Sequence, residues 1–142
     1  MTIAPPFGRL LTAMVTPFKK DGAIDWAGVE TLATHLVAHG HDGIVVNGTT
    51  GEAPTTKSSE KEEIIRVVRN AVGSSIKVLS GAGDNETEYS INQAKRTEKA
   101  GADGLLVVTP YYNKPPQAGI EAHFRAVADL SLIHISEPTR PY

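Results

Sequence analysis

Two stretches of the chain carry residue types that could do chemistry together. The first, residues 48–52, reads Gly-Thr-Thr-Gly-Glu and follows a short apolar run. Gly48 and Gly51 flank Thr49 and Thr50, which suits a backbone that turns sharply, exposes successive N–H groups and holds two hydroxyls at one point. This pattern indicates an anion pocket with a proton-handling hydroxyl beside it. Because Gly and Thr are also common in turns, these five residues alone leave an ordinary turn open.

The second stretch, residues 107–116, follows another apolar run and reads Val-Val-Thr-Pro-Tyr-Tyr-Asn-Lys-Pro-Pro. It presents two adjacent phenols, Tyr111 and Tyr112, at the end of a predicted strand. The alternative is a packed aromatic corner whose hydroxyls are satisfied within the protein. The two stretches taken together favour a ligand site over ordinary turn chemistry.

Strand and helix units that could position these stretches recur at roughly thirty-residue spacing. Each predicted strand is apolar throughout, which is typical of a parallel sheet with helices outside it. The strands are predicted at residues 9–16, 43–47, 76–80 and 104–108. We expect the first of them to be buried on both faces.

The alternating helices have recognisable start and stop signals. Asp25 is a predicted N-cap for the first helix. Ser59, with Glu62 three residues later, fits a capping box for the second, although Thr56 or Ser58 could equally start this helix. The third covers residues 87–100 with Gly101 as its stop. The fourth covers residues 117–130, and its inward positions are predicted to be Ile120, Phe124, Val127 and Ala128.

Two α/β architectures fit this order: an open doubly wound sheet, or part of a (β/α)8 barrel. An open sheet would usually show a phosphate fingerprint in its first turn, and residues 16–20 have none. The run at residues 81–85 lacks a third glycine, because position 86 is Glu. A barrel places the loops that carry its functional residues at the carboxyl ends of its strands, and the loops with candidate residues in this chain all follow predicted strands. We therefore expect a truncated barrel: about four units, the first half of a fold of about 250 residues.

Composition excludes several classes of function. A formal net charge of −2 gives no electrostatic footprint for nucleic acid or an anionic membrane, and the absence of cysteine excludes thiolate chemistry and cysteine zinc sites. His35, His39 and His41 lie near a predicted helix end without a carboxylate at ligand spacing, so no metal site is expected. With no secretory signal or membrane span recognised, we expect a cytoplasmic protein without a cofactor.

The last twelve residues differ in character from the rest. A short strand could be imagined at residues 132–135, but two prolines and the terminus follow at once. Residues 131–142 resemble translated sequencing-adapter read-through. We therefore expect one domain over residues 1–130, the N-terminal half of a barrel, followed by a foreign or artefactual tail.

The two motifs, with the four units between about Gly8 and Leu130, resemble the pyruvate-dependent class I aldolase and lyase family, and within it the dihydrodipicolinate synthase family. Its enzymes are (β/α)8 barrels that condense pyruvate with aspartate semialdehyde on the route to lysine, through a Schiff base to a lysine on the sixth strand. The resemblance implies that Thr50 holds the pyruvate carboxylate within the glycine-flanked loop. It implies that Thr49 and Tyr112 belong to a proton relay.

The resemblance also implies a homodimer or homotetramer in the intact parent, in which Tyr112 reaches across a tight interface. Tyr111 and Asn85 would lie at that interface, near a site where lysine inhibits some family members. Ala53, Ser58, Lys61 and Tyr89 do not carry the histidines and carboxylate typical of lysine-sensitive members. Feedback inhibition by lysine is therefore not expected.

The Schiff-base lysine, the tyrosine that completes the relay and the arginine that guides the second substrate would all lie in the half of the barrel that this chain lacks. Lys77 starts a strand, at the wrong end of a barrel, and Lys114 lies in a proline-rich loop. The chain by itself is therefore expected to be inactive. Two alternatives stay open: a sister enzyme, such as an N-acetylneuraminate lyase or 2-keto-3-deoxy sugar-acid aldolase, or a non-catalytic half-barrel binding module.

Overall fold

The computed structural model describes residues 5–131 and the backbone of 134–136. Its centre is a parallel sheet of five strands in sequential order: β1 (Leu11–Ala13), β2 (Gly43–Val46), β3 (Lys77–Gly81), β4 (Gly104–Leu106) and β5 (His134–Ser136). A doubly wound sheet reverses its strand order at a switch point, whereas a barrel does not. The sequential order therefore confirms the barrel-type arrangement.

Four helices alternate with the strands: α1 (Trp26–Ala38), α2 (Ser58–Val72), α3 (Thr87–Ala100) and α4 (Gln117–Asp129). The predicted N-cap of α1 is confirmed, because the Asp25 carboxylate accepts a hydrogen bond of 3.2 Å from Gly28 N. The stop of α3 is confirmed too, since Gly101 adopts a left-handed φ of 101° that favours glycine.

The core lies between the sheet and the helices. One cluster joins β2 and β3 to the inner faces of α1 and α2, and includes Val29, Ile44, Ile64 and Val78. A second cluster joins β4 to α3 and α4 and includes Ala94, Leu105 and Val127. Apolar residues at helical spacing thus cover the outer face of an almost wholly apolar sheet.

The prediction that β1 is buried on both faces is wrong. Leu10, Leu11 and Val15 are exposed, and only Met14 and Thr16 of this run are buried. The cause is that β1 pairs only with β2 among the described strands, so that one edge and part of one face meet no neighbour.

Two helix predictions are also corrected. The capping interaction of α2 runs from Lys57 N to the Glu60 carboxylate at 2.7 Å, two residues before the predicted Ser59–Glu62 box. Glu62 instead pairs with Arg66 and Arg96. In α4, Ala128 is exposed, while the unpredicted His123 is buried and contacts Thr87 Oγ1 at 2.9 Å.

The strand β5 lies in the segment predicted to be foreign. Its backbone pairs with β4 in parallel register, Gly104 opposite His134. The prolines at 138 and 141 that argued against a strand lie outside the described residues, as do residues 132 and 133. The foreign origin of residues 131–142 stays a prediction.

An ionic cluster fixes the amino ends of β3 and β4. The Asp103 carboxylate pairs with Arg69 of α2 and accepts a hydrogen bond of 2.8 Å from Val78 N. Arg69 also donates to the carbonyls of Gly101, Gly73 and Ile76. This cluster lies at the end of the sheet opposite the loops that carry the candidate site, so its role is to hold the scaffold.

Candidate active site

The Gly-Thr-Thr-Gly-Glu loop connects β2 to α2 and folds as two overlapping turns. Gly51 N donates to Gly48 O at 3.1 Å and Glu52 N donates to Thr49 O at 3.1 Å. The buried Thr16 hydroxyl, at the end of the β1 segment, donates to Gly51 O at 2.7 Å. The loop is therefore held from β1, with its turn closed by its own backbone.

The loop leaves several polar groups available. The Thr49 and Thr50 side chains are exposed, and within the described part of the chain neither hydroxyl has a hydrogen-bond partner. The N–H groups of Thr49 and Thr50 likewise donate to no described backbone acceptor. Adjacent free N–H groups and hydroxyls at the carboxyl end of a strand form a suitable cradle for a small anion.

Asn47, immediately before the loop, fixes where the loop begins. It is buried, adopts a left-handed φ of 56°, and its side-chain amide donates to Ser80 Oγ at 2.9 Å and to Lys61 O at 3.1 Å. These bonds join the end of β2 to β3 and to α2. Sequence reasoning missed this residue, although an amide directly after an apolar strand and before a glycine was a usable signal.

Two glycines bring the neighbouring backbones unusually close to the loop. A Cβ on Gly81 would lie 2.1 Å from Asn47 O, and a Cβ on Gly51 would lie 3.1 Å from Met14 O. Gly48, by contrast, has nothing within 4 Å of the position of a Cβ. The close approach at Gly81 therefore requires glycine, a Cβ at Gly51 would be a tight contact, and Gly48 has room for a side chain.

Tyr111 lies beside the glycine loop that follows β3. Its hydroxyl donates to the Asp84 carboxylate at 3.2 Å. Partial burial, followed by the nearby Asp84 charge and this hydrogen bond, raises the pKa of the Tyr111 phenol above its usual value. The phenol is thus kept protonated. Asn85 lies next to it and its amide donates to Asn113 Oδ1 at 3.3 Å, which joins this loop to the tyrosine loop.

Tyr112 lies on the surface of the chain. It adopts a left-handed φ of 69° and the residue is 92% exposed. It does not line the cavity of its own chain. Its predicted role in the site of a neighbouring subunit stays a prediction.

A cavity of about 1060 Å³ opens at the carboxyl end of the sheet. Of the predicted site residues it brings together Gly48, Thr49 and Tyr111, whereas Thr50, Gly51, Asn85 and Tyr112 are not among its lining residues. It also extends between the helices, where Lys61, Tyr89 and Gln93 line it. Sequence reasoning placed Lys61 and Tyr89 only at positions of the lysine-inhibition site, and it missed Gln93, because the pattern does not give the relative position of the helices.

Two histidines near the end of α1 contact backbone carbonyls through their rings. His39 Nδ1 lies 2.7 Å from His35 O, and His41 Nδ1 lies 2.7 Å from Leu36 O. Both contacts use the Nδ1 atom of the ring. In the described residues no cluster of three or more potential metal ligands occurs.

Similarity to known proteins identifies the family of this chain. The model of the Dihydrodipicolinate synthetase family matches residues 6–135. The chain belongs to the dihydrodipicolinate synthetase family. The 4-hydroxy-tetrahydrodipicolinate synthase of Acidothermus cellulolyticus is 63% identical over 126 residues, which are 89% of this chain and 41% of that protein. The chain thus spans about two fifths of the length of this curated relative.

Solved structures of the dihydrodipicolinate synthetase family share the fold. The enzyme of Cyanidioschyzon merolae with lysine bound is 48% identical with a TM-score of 0.90, over 95% of this chain and 46% of that one. The Acinetobacter baumannii synthase complexed with pyruvate is 36% identical with a TM-score of 0.89, over 93% and 45%. The strand and helix units therefore match the first half of the family's barrel, as predicted. Over the residues described here, no helix is long and apolar enough to cross a membrane.

Proposed function

We propose that this chain is the N-terminal part of a 4-hydroxy-tetrahydrodipicolinate synthase, a cytoplasmic enzyme of lysine biosynthesis. The parent would condense pyruvate with L-aspartate 4-semialdehyde through a Schiff base. The observation that carries the proposal is the loop at residues 48–52, whose free hydroxyls and N–H groups lie at the carboxyl end of a strand in a barrel-type sheet. The identity to the Acidothermus enzyme supports it.

In this proposal Thr50 binds the pyruvate carboxylate with its hydroxyl and N–H, while Gly48 and Gly51 shape the loop around it. A carboxylate accepts strong hydrogen bonds from such donors, and each charge-assisted bond is worth about 1.5–3 kcal/mol. The structure of the Acinetobacter baumannii relative is a complex with pyruvate, which supports a carboxylate ligand at this loop.

Thr49 is assigned to the proton relay, because its hydroxyl lines the cavity and has no partner in the described part of the chain. Tyr112 is assigned to the same relay in a neighbouring subunit, since the residue is 92% exposed and does not line the cavity of its own chain. This assignment requires a homodimer, or a homotetramer built from such dimers. Tyr111 and Asn85 then lie at the interface beside it.

The chain by itself is proposed to form no imine with pyruvate. A lysine must be desolvated or close to another cation to be nucleophilic near neutral pH. Lys77 is at the amino end of β3 and pairs with Asp103 at 3.7 Å, and Lys114 is exposed. Lys61, which lines the cavity, is the lysine to be examined first.

The carboxylate role is tested by titrating pyruvate into the 142-residue chain and following saturation-transfer NMR. Thr50→Val removes the hydroxyl with little change of volume and is expected to weaken binding about tenfold. Thr34→Val is the control, because the Thr34 hydroxyl bonds only to the exposed helix carbonyl of Glu30. Equal affinity for the Thr50 variant and the unchanged chain would contradict the carboxylate role.

The second test is reduction with borohydride in the presence of pyruvate, followed by mass measurement of the intact chain. No mass increase is expected. A stoichiometric pyruvyl adduct, located by peptide mapping, would contradict the proposed inactivity and would identify the reactive lysine.

We further propose that residues 131–142 do not belong to the parent. The family match to residue 135 and the pairing of β5 show that part of this segment is compatible with the fold. Sequencing the source gene beyond the Leu130 codon tests the proposal. A frame that continues into a different fifth strand supports it, and recovery of the same twelve codons followed by a stop contradicts it.

A further inference from the structure

His35 and His39 form an exposed pair of imidazoles at the end of α1. They are four residues apart, so their side chains lie on the same face of the helix. The centroids of the two rings are 4.0 Å apart, and the ring planes are inclined by 32°. Both residues are exposed, and the function proposed above uses neither of them. The pair is therefore accessible to a ligand from solvent.

The hydrogen bond of the His39 ring fixes which of its nitrogens can bind a metal. Its Nδ1 lies 2.7 Å from His35 O. A carbonyl oxygen can only accept, so Nδ1 carries the proton and Nε2 of the neutral ring has a free lone pair. Metal-binding histidines usually donate their other ring N–H in this way. Within the described part of the chain, His39 Nε2 and both ring nitrogens of His35 have no hydrogen-bond partner.

The electrostatics at the end of α1 favour a cation. The last carbonyl groups of a helix form the negative end of its dipole, which stabilises positive charge nearby. Residues 31–42, which include both histidines, contain no lysine or arginine. The carboxylate in this stretch, Asp42, accepts from the N–H groups of Arg9 and Leu10. No cationic side chain of this stretch therefore repels a metal ion at the histidine pair.

We propose that His35 and His39 chelate a divalent transition-metal ion such as Zn²⁺, Ni²⁺ or Cu²⁺. The ligands would be His39 Nε2 and one ring nitrogen of His35, with water in the remaining coordination positions. Imidazole is a favoured ligand of these ions, whereas Mg²⁺ and Ca²⁺ prefer oxygen. Two histidines four residues apart on one helix face also provide two of the zinc ligands in helical zinc motifs.

The histidine pair is separate from the candidate active site. It precedes the amino end of β2, whereas the loop at residues 48–52 follows the carboxyl end of that strand. The sequence did not predict a metal here, because no carboxylate or cysteine stands at ligand spacing, but a chelate of two imidazoles needs neither. The ring of His41 contacts Leu36 O at 2.7 Å, and in the described residues no group of three potential ligands forms. The inference does not depend on the proposed reaction.

The test is calorimetric titration of the 142-residue chain, prepared without a polyhistidine tag, with nickel chloride in a non-coordinating buffer. Saturable Ni²⁺ binding at a single site is expected, with tighter binding of Cu²⁺ and no binding of Mg²⁺. His35→Gln and His39→Gln should each weaken Ni²⁺ binding at least about tenfold, because the second ring no longer binds intramolecularly. His41→Gln is the matched control and should leave the affinity within about twofold.

Nuclear magnetic resonance locates the ion independently of the affinities. Substoichiometric Cu²⁺ should broaden the ring-proton signals of His35 and His39 before those of the other histidines. If His39→Gln alters the helix end, as judged by circular dichroism, His35→Gln decides. Equal Ni²⁺ affinity in the His35 variant and the unchanged chain would overturn the proposal. An equal loss of affinity in His41→Gln, or Mg²⁺ binding as tight as that of Ni²⁺, would overturn it as well.

Discussion

Gly81→Ala is expected to displace the candidate anion loop although no residue of the loop itself is substituted. Gly81 ends β3, where the backbone of β2 continues into Asn47 and Gly48. A Cβ at this position would lie 2.1 Å from Asn47 O and 2.8 Å from Asn47 C. Both contacts are with backbone atoms, so no side-chain rotation can relieve them. The strand and the loop must move apart.

The size of the displacement that the new Cβ requires sets the expected loss of stability. Real Cβ contacts closer than 3.0 Å essentially do not occur, so the two backbones must separate by about 0.9 Å. The movement would strain the bond between the Asn47 amide and Ser80 Oγ, which is 2.9 Å long. Overpacking of this kind costs about 1–3 kcal/mol. For a chain of this size that lowers the unfolding temperature by roughly 3–10 °C.

The assay combines thermal unfolding with pyruvate titration, and Gly48→Ala is the matched control. Gly48 belongs to the motif, but nothing lies within 4 Å of a Cβ built on it. We expect its variant to unfold within about 2 °C of the unchanged chain. The Gly81 variant should lose stability and pyruvate affinity together, because the displaced segment carries Thr49 and Thr50.

The reasoning is refuted if Gly81→Ala unfolds at the same temperature as Gly48→Ala. It is also refuted if Gly48→Ala is the more damaging of the two changes. Either result would mean that a Cβ at position 81 fits without the backbone displacement that its 2.1 Å distance to Asn47 O requires.

Two other predictions concern the scaffold. Asp103→Ala should destabilise the chain by about 2–3 kcal/mol in urea denaturation, because it removes an acceptor of Val78 N and leaves Arg69 without its carboxylate. Glu121→Gln, which breaks an exposed pair, should change stability by less than about 0.5 kcal/mol, and equal effects would contradict the argument. Burial lowers the pKa of His123, so the unfolded chain binds more protons as the pH falls through about 6.5 and stability should fall with it. His123→Gln should flatten this pH dependence, and an unchanged slope would show that other groups cause it.

The sequence predicted much of the architecture, because strands, helices and helix ends are specified by residues close together in the chain. Continuous apolar runs gave four of the strands, helical spacing gave the helices, and Asp25 and Gly101 marked two of their ends. The predictions were wrong where the burial of an element depends on the elements packed around it. The strand near Leu11 is apolar enough for burial on both faces, yet its exposure depends on which strands flank it.

The motif at residues 48–52, together with residues 107–116, indicated the family from the sequence alone and predicted the region of the candidate site, since turn residues and hydroxyls follow one another along the chain. The folded chain decided which groups meet there. Asn47 contacts Ser80 and Lys61 faces Tyr89 because parallel strands and neighbouring helices bring distant segments together. Such contacts depend on strand register and helix packing, which no local pattern of residues specifies.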